Sequence, residues 1–273
     1  MTTPLRCPVC GTPSRHEDTF RDISLWRCPA CDHCFTDVAS LDYLGEYDEA
    51  WESLHPNWFE NPQTDLFAAI ADRIRRDAPG SRVIDIGCGR GELLEFLRAR
   101  DASLELTGLD ISLRPEIEGV EIITGDVASA DLGGRTWDVA TSLATIEHVE
   151  DVTGFVARLH EVVVPGGLAI VMTVNDRSVL YESARLLRRL GYAVAYERLY
   201  DRFHLNHFNI RSLRTLMERG GFRTLEQLRH NIPLRSVDMP TRSPLLLAGV
   251  WGTFALGRLT GRTYEQTLVA RRP

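Results

Sequence analysis

The stretch from Val83 to Leu93, Val-Ile-Asp-Ile-Gly-Cys-Gly-Arg-Gly-Glu-Leu, constrains the fold of this chain more than any other. Three β-forming residues and an acid run into glycines at positions 87, 89 and 91, and an amphipathic pattern of Leu93, Leu94, Phe96 and Leu97 follows at once. The pattern predicts a strand, a tight turn and a helix N-terminus, the first βα unit of a nucleotide-binding α/β sheet. Glycine suits such a turn because positive φ and close approach of backbone to a ligand both exclude a Cβ. The dinucleotide fingerprint asks for a third glycine three places after the second, and Glu92 occupies that place. A carboxylate at Asp85 would repel a pyrophosphate, whereas it can pair with an amino group.

Later strands carry the same theme. Leu104 to Asp110 reads as a second strand ending in an acid, and Asp110 stands near the roughly 20-residue distance at which ribose-binding carboxylates follow a glycine turn. Val120 to Val127 reads as a third strand running into Gly125-Asp126, and Trp137 to Leu143 as a fourth. Asp85 followed by Gly87, Gly89 and Gly91 resembles motif I of the class I S-adenosylmethionine (SAM) dependent methyltransferases. Trp137-Asp138-Val139 with Glu147-His148-Val149 and Asp151 resembles a motif of the ubiquinone-pathway O-methyltransferases and their small-molecule relatives, and Pro165-Gly166-Gly167 matches another. The resemblance implies a Rossmann-like α/β fold with a seven-stranded sheet whose last strand is inserted antiparallel. It also implies SAM as cofactor, held by Asp85, Gly87, Gly89, Gly91, Asp110, Ile111, Asp126, Val127 and Leu143. Asp126 would lie near the adenine amino group, Val127 against the ring and Leu143 along the cofactor.

Two Cys-x-x-Cys knuckles, Cys7/Cys10 and Cys28/Cys31, stand at zinc-ribbon spacing. Four thiolates close a tetrahedral site with no open position, so structural Zn2+ is expected. Cys34 reads as a small buried hydrophobe and Cys88 as filler in the glycine loop. An acidic, aromatic stretch from Asp37 to Pro62, with Tyr43, Tyr47, Trp51, Trp58 and Phe59, is expected to pack over the nucleotide domain as a lid. Thr64 or Asp65 is expected to cap the next helix, which Pro79-Gly80 ends.

Beyond the fifth strand, residues 175–201 exceed a normal βα loop and imply an inserted helical cap closed by Gly191. His204 to Asn209, with the helix after it and Gly220-Gly221-Phe222, resembles a stretch shared by zinc-ribbon methyltransferases of sugar and natural-product pathways. In the C-methylating members a His serves as base. His204 matches that His, while Phe203 and Asp201 replace the family's Glu and Tyr. His148, at the end of the fourth strand, is the other candidate base. The expected organisation is a zinc ribbon over 1–37, an aromatic lid and leading helix over 38–79, and a SAM-binding domain over 80–273 with a cap at about 176–208.

All 31 basic residues are arginine and the formal net charge is −7, without the basic surplus that a nucleic-acid partner would favour. No apolar run reaches the roughly 18 residues of a membrane span. Leu245 to Leu256 is short and is expected to be a buried or amphipathic helix. The residues before Cys7 lack an apolar signal core, so a cytoplasmic setting is expected. The leading functional expectation is methyl transfer from SAM to a small-molecule acceptor at oxygen, nitrogen or carbon. A ribosomal RNA base methyltransferase and a non-catalytic SAM-binding scaffold are the alternatives.

Overall fold

A computed structural model describes residues 4–42, 56–78, 81–112, 116–238 and 243–273. Tyr43, Tyr47, Trp51 and the Pro79-Gly80 stop lie outside the described residues. The chain opens with antiparallel strands β1 (Arg15–Phe20), β2 (Ile23–Arg27) and β3 (Cys34–Thr36). Two helices, α1 (Pro56–Glu60) and α2 (Thr64–Asp77), lead into the α/β region. There β4 (Arg82–Ile86), α3 (Glu92–Arg100), β5 (Glu105–Asp110), β6 (Val120–Thr124), β7 (Trp137–Leu143), α4 (Val152–Val162) and β8 (Val163–Val174) follow in order. The inserted cap comprises α5 (Val179–Arg189), α6 (Val194–Leu199) and the short β9 (Asn206–His207). The chain closes with α7 (Ile210–Arg219), β10 (Arg223–His230), α8 (Pro244–Thr260) and β11 (Glu265–Arg271).

Seven strands make one sheet in the order β6-β5-β4-β7-β8-β11-β10, with β11 antiparallel to both of its neighbours. Val83, Ile84 and Ile86 are buried on alternate faces of β4, as expected of a parallel strand covered by helices on both sides. The order reverses between β4 and β7, which opens a crevice beyond the carboxyl ends of the strands. At the expected cap of α2, the helix starts at Thr64 after Gln63, and no side chain bonds its first turn. Gln63 is buried, so the Pro62-Gln63 turn faces inward and displaces the cap that Thr64 would otherwise supply. Asn209 caps α7 with a full capping box to Ser212, as its sequence position suggests.

The ribbon does not stand apart from the cap. Strand β9 adds to its sheet through Cys34 opposite His207 and Phe35 opposite Asn206. Immediately after β8, the fully buried Asp176 accepts from Arg27 of β2 at 2.7 Å and from Arg185 of α5 at 2.9 Å, and also from the Tyr200 hydroxyl. One carboxylate thereby fastens the ribbon and the cap to the main sheet. Burial alone would raise its pKa, but Arg27 and Arg185 reverse the shift and hold it well below the usual carboxylate range. Its contribution to stability is therefore complete above about pH 4 and is lost as pH falls through the depressed value. Asp176→Ala, which strands two buried guanidinium groups, is expected to cost about 3–5 kcal/mol in urea unfolding at neutral pH.

Candidate active site

The crevice at the carboxyl ends of β4, β5, β6 and β7 is a cavity of about 680 Å³. Its floor is the glycine turn. Gly87 has φ of +71°, and a Cβ there would run into the Thr145 side chain. Of the cofactor positions expected from sequence, Asp85, Gly87, Gly89, Asp110, Ile111, Asp126, Val127 and Leu143 line this cavity. Gly91 is outside the lining: it is the left-handed residue that starts α3, where a Cβ would strike Ile117.

Three acids approach the cavity from three strand ends, each held by different partners. Asp85 is buried, and burial pushes its pKa up to about 7. Thr141 on the neighbouring β7 donates to it at 2.7 Å and lowers the value, while the nearby Asp110 and Glu92 charges raise it. Asp110 accepts from the Gly89 amide at 2.8 Å through one oxygen and from the Ser112 amide at 3.0 Å through the other. These bonds fix the direction of the carboxylate. Asp126 accepts from the Ala128 amide at 2.9 Å, an Asx turn that holds it at the rim. Thr141 was not anticipated from sequence, because its role depends on the parallel register that sets it opposite Asp85.

Aromatic side chains also line the cavity. Trp58 and Phe59 of the leading segment line it together with Phe67, and the Arg90 guanidinium lies 4.2 Å from the centre of the Phe59 ring. α1 is fixed from behind, where the Asn57 amide donates to Asp238 at 3.2 Å. His148 lines the cavity and donates from Nδ1 to the Phe203 carbonyl at 2.8 Å. A carbonyl can only accept, so Nδ1 carries a proton. His204 lies outside the lining, between Phe203 and Leu205, which are part of it; its ring sits 4.8 Å from that of His148. Behind both is the buried Glu147, which accepts from Thr173 at 2.9 Å. Its pKa is raised to about 7, chiefly by burial, with His204 opposing the shift. His207 belongs to the core: it is fully buried against Tyr200, and burial keeps its ring neutral.

Outside the lining of this cavity, Cys7, Cys10, Cys28 and Cys31 bring their sulfurs within 4.8 Å of one another. Cys7 and Cys31 are 3.6 Å apart, and Cys10 and Cys28 are 3.4 Å apart. A tetrahedral zinc with bonds of about 2.3 Å needs sulfur pairs about 3.8 Å apart, so the quartet fits the ion after a slight expansion. The Cys7 thiol and burial together push the Cys31 thiol up. Cys34 lies in β3 outside the quartet.

Residues 58–227 match the methyltransferase domain family. The ubiquinone biosynthesis O-methyltransferase of Mesorhizobium japonicum is 33% identical over 130 residues, 45% of this chain and 49% of that protein. The enzyme of the same name from Pseudomonas aeruginosa is 34% identical over 119 residues, 39% of this chain and 50% of that protein. The chain thus spans about half the length of these relatives. Among solved structures, the Burkholderia thailandensis 1,6-didemethyltoxoflavin-N1-methyltransferase, with its substrate and S-adenosylhomocysteine bound, superposes with a TM-score of 0.54 at 15% identity, covering 95% of this chain and 98% of that one. The Haemonchus contortus phosphoethanolamine N-methyltransferase 2 in complex with SAM gives 0.54 at 16% identity, covering 82% and 56%. At such identities the likeness is one of fold.

The Asp85 carboxyl is accessible to NMR titration independently of any ligand. Its midpoint is expected near 7, and Thr141→Val, which removes the bond that stabilises the charged form, is expected to move the midpoint upward. A midpoint near 4 in the wild type would show that burial does not control the group.

Proposed function

The chain belongs to the methyltransferase domain family, and on that premise we propose that it transfers the methyl group of SAM to a small-molecule acceptor. The observation that carries this reading is the convergence of Asp85, Asp110 and Asp126 on one cavity that also presents His148. Asp85 is assigned to the ligand's amino group, Asp110 to its ribose hydroxyls, and Asp126 and Val127 to the adenine. Gly87 and Gly89 let the backbone approach, Gly91 starts the helix behind them, and Ile111 and Leu143 flank the ligand.

SAM supplies an electrophilic methyl on a sulfonium, which an acceptor oxygen, nitrogen or carbon attacks in line as the carbon–sulfur bond breaks. The protein's share is placement. Holding both reactants in near-attack geometry contributes about 7–11 kcal/mol of barrier lowering. Where the acceptor loses a proton, His148 is assigned as the base, because it and not His204 lines the cavity; its Nε2 is buried, so this role requires the ring to turn toward the acceptor. His204 packs against it and, with Glu147 behind, orients the ring. Trp58 and Phe59 suit an acceptor with an apolar or aromatic surface. The four cysteines of the ribbon are assigned to a structural Zn2+, and thiolates held by metal rather than in disulfides suit a reducing, cytoplasmic setting.

Calorimetry with S-adenosylhomocysteine is expected to show one site per chain, weakened about tenfold or more by Asp110→Ala. Labelled methyl transfer from SAM onto a small-molecule extract is expected to require the wild-type chain, and His148→Ala is expected to lower turnover about 10²- to 10⁴-fold without changing S-adenosylhomocysteine affinity. Binding without transfer would favour the scaffold reading, and absence of binding would overturn the cofactor assignment. For the ribbon, elemental analysis is expected to give one zinc per chain, and Cys28→Ser to abolish it and lower the melting temperature. Protein purified without chelator and free of zinc would remove that assignment.

A further inference from the structure

The large apolar side chains left exposed among the described residues are not scattered. All except Ile111 lie on α5, on the residues that join it to α6 and begin that helix, and on α8. Leu190, Tyr192 and Trp251 are 65%, 70% and 64% exposed, and Leu245 and Leu259 are 85% and 86% exposed. Single exposed leucines are ordinary, but a concentration of this size on one part of a chain marks an interaction surface. The helices are neighbours: α5 packs on α8, the Val179 amide donates to the Arg262 carbonyl at 3.0 Å, and Arg262 pairs with Glu182 at 3.0 Å. Only Phe254 and Gly257 of α8 are buried, which corrects the expectation of a buried or simply amphipathic helix around Leu245 to Leu256.

Charge decides what covers this surface. Of the six arginines in residues 179–200 and 243–262, Arg185, Arg188 and Arg262 are held by Asp176, Asp18 and Glu182, which leaves Arg189, Arg198 and Arg258 outside the described ion pairs, in a chain whose net charge is −7. Both glutamates of these segments are engaged, Glu182 with Arg185 and Glu197 with Arg21. The exposed Arg189 stands at helical spacing beside Leu186 and Leu190, and the exposed Arg258 lies next to Leu259. A second copy would bring this basic face against itself, with like charges opposed. An anionic surface that also accepts apolar side chains satisfies both features. At 17 residues α8 is about 26 Å long, and none of the described helices is long and apolar enough to cross a membrane.

We propose that α5 and α8 lie flat on an anionic lipid bilayer, with their exposed leucines and Trp251 in the headgroup region and Arg189 and Arg258 against lipid phosphates. The contact needs neither SAM nor catalysis, so it stands or falls separately from the assigned activity. The full chain is to be sedimented with vesicles of phosphatidylcholine alone and of phosphatidylcholine with phosphatidylglycerol, at low and high salt. Binding is expected to the mixed vesicles and to weaken as salt rises. Arg189→Gln and Arg258→Gln are each expected to weaken it about fivefold. Leu190→Glu with Leu259→Glu is expected to abolish it while circular-dichroism melting stays within a few degrees of wild type. Failure to bind mixed vesicles would overturn the proposal, as would binding that neither set of variants alters. So would a concentration-dependent dimer, dissolved by the leucine variants, in a protein that ignores vesicles.

Discussion

The architecture depends on one buried carboxylate. Asp176 sits where β8 ends and the cap begins, and its two oxygens are held by Arg27 from the ribbon and Arg185 from the cap. An uncompensated charge at that depth would cost several kcal/mol, so the three parts must assemble in one arrangement or leave a guanidinium stranded. The Arg177 pair with Asp32 at 2.5 Å reinforces the same junction from the solvent side. The acceptor wall inherits this rigidity, because Phe203 and Leu205 are the residues leading into β9, which the ribbon sheet holds in place.

The electrostatics of the cavity favour a cationic ligand. Asp110 and Glu92 lie close enough to Asp85 to raise its pKa, beyond the larger effect of burial. A ligand that brings positive charge to this point opposes that rise. SAM, with an ammonium and a sulfonium, is such a ligand, whereas a pyrophosphate would add to it. The same cavity is also lined by the aromatic rings of Trp58, Phe59 and Phe67, which suits the apolar acceptor surface proposed above.

Local patterns made most of the strand-and-turn framework of the cavity legible. The glycine turn, the acids ending β5 and β6, and the strand Trp137–Leu143 all declare themselves within windows of about ten residues, because period and turn chemistry are local properties. What escaped was long-range. Thr141 supports Asp85 only through strand register. The two-residue β9 has no periodicity to read, and its pairing with Cys34 and Phe35 joins segments far apart in sequence. His148 and His204 were indistinguishable as candidate bases because sequence does not say which ring faces a cavity. The helix at Leu245 was visible as an apolar run, but its exposure depends on how little of the fold lies over it.

The borrowed strand β9 has a consequence for how the chain is assembled during synthesis. The ribbon strands β1 to β3 leave the ribosome first, yet the edge of their sheet is closed by residues 206 and 207. Through most of translation β3 is therefore an open edge with unpaired backbone groups, of the kind that templates aggregation. The four clustered cysteines lie entirely within the first 31 residues, so a metal bound there could give the ribbon its shape before any of the main sheet exists. On this view the N-terminal thiols act on folding order: they keep the edge in register until β9 arrives to occupy it.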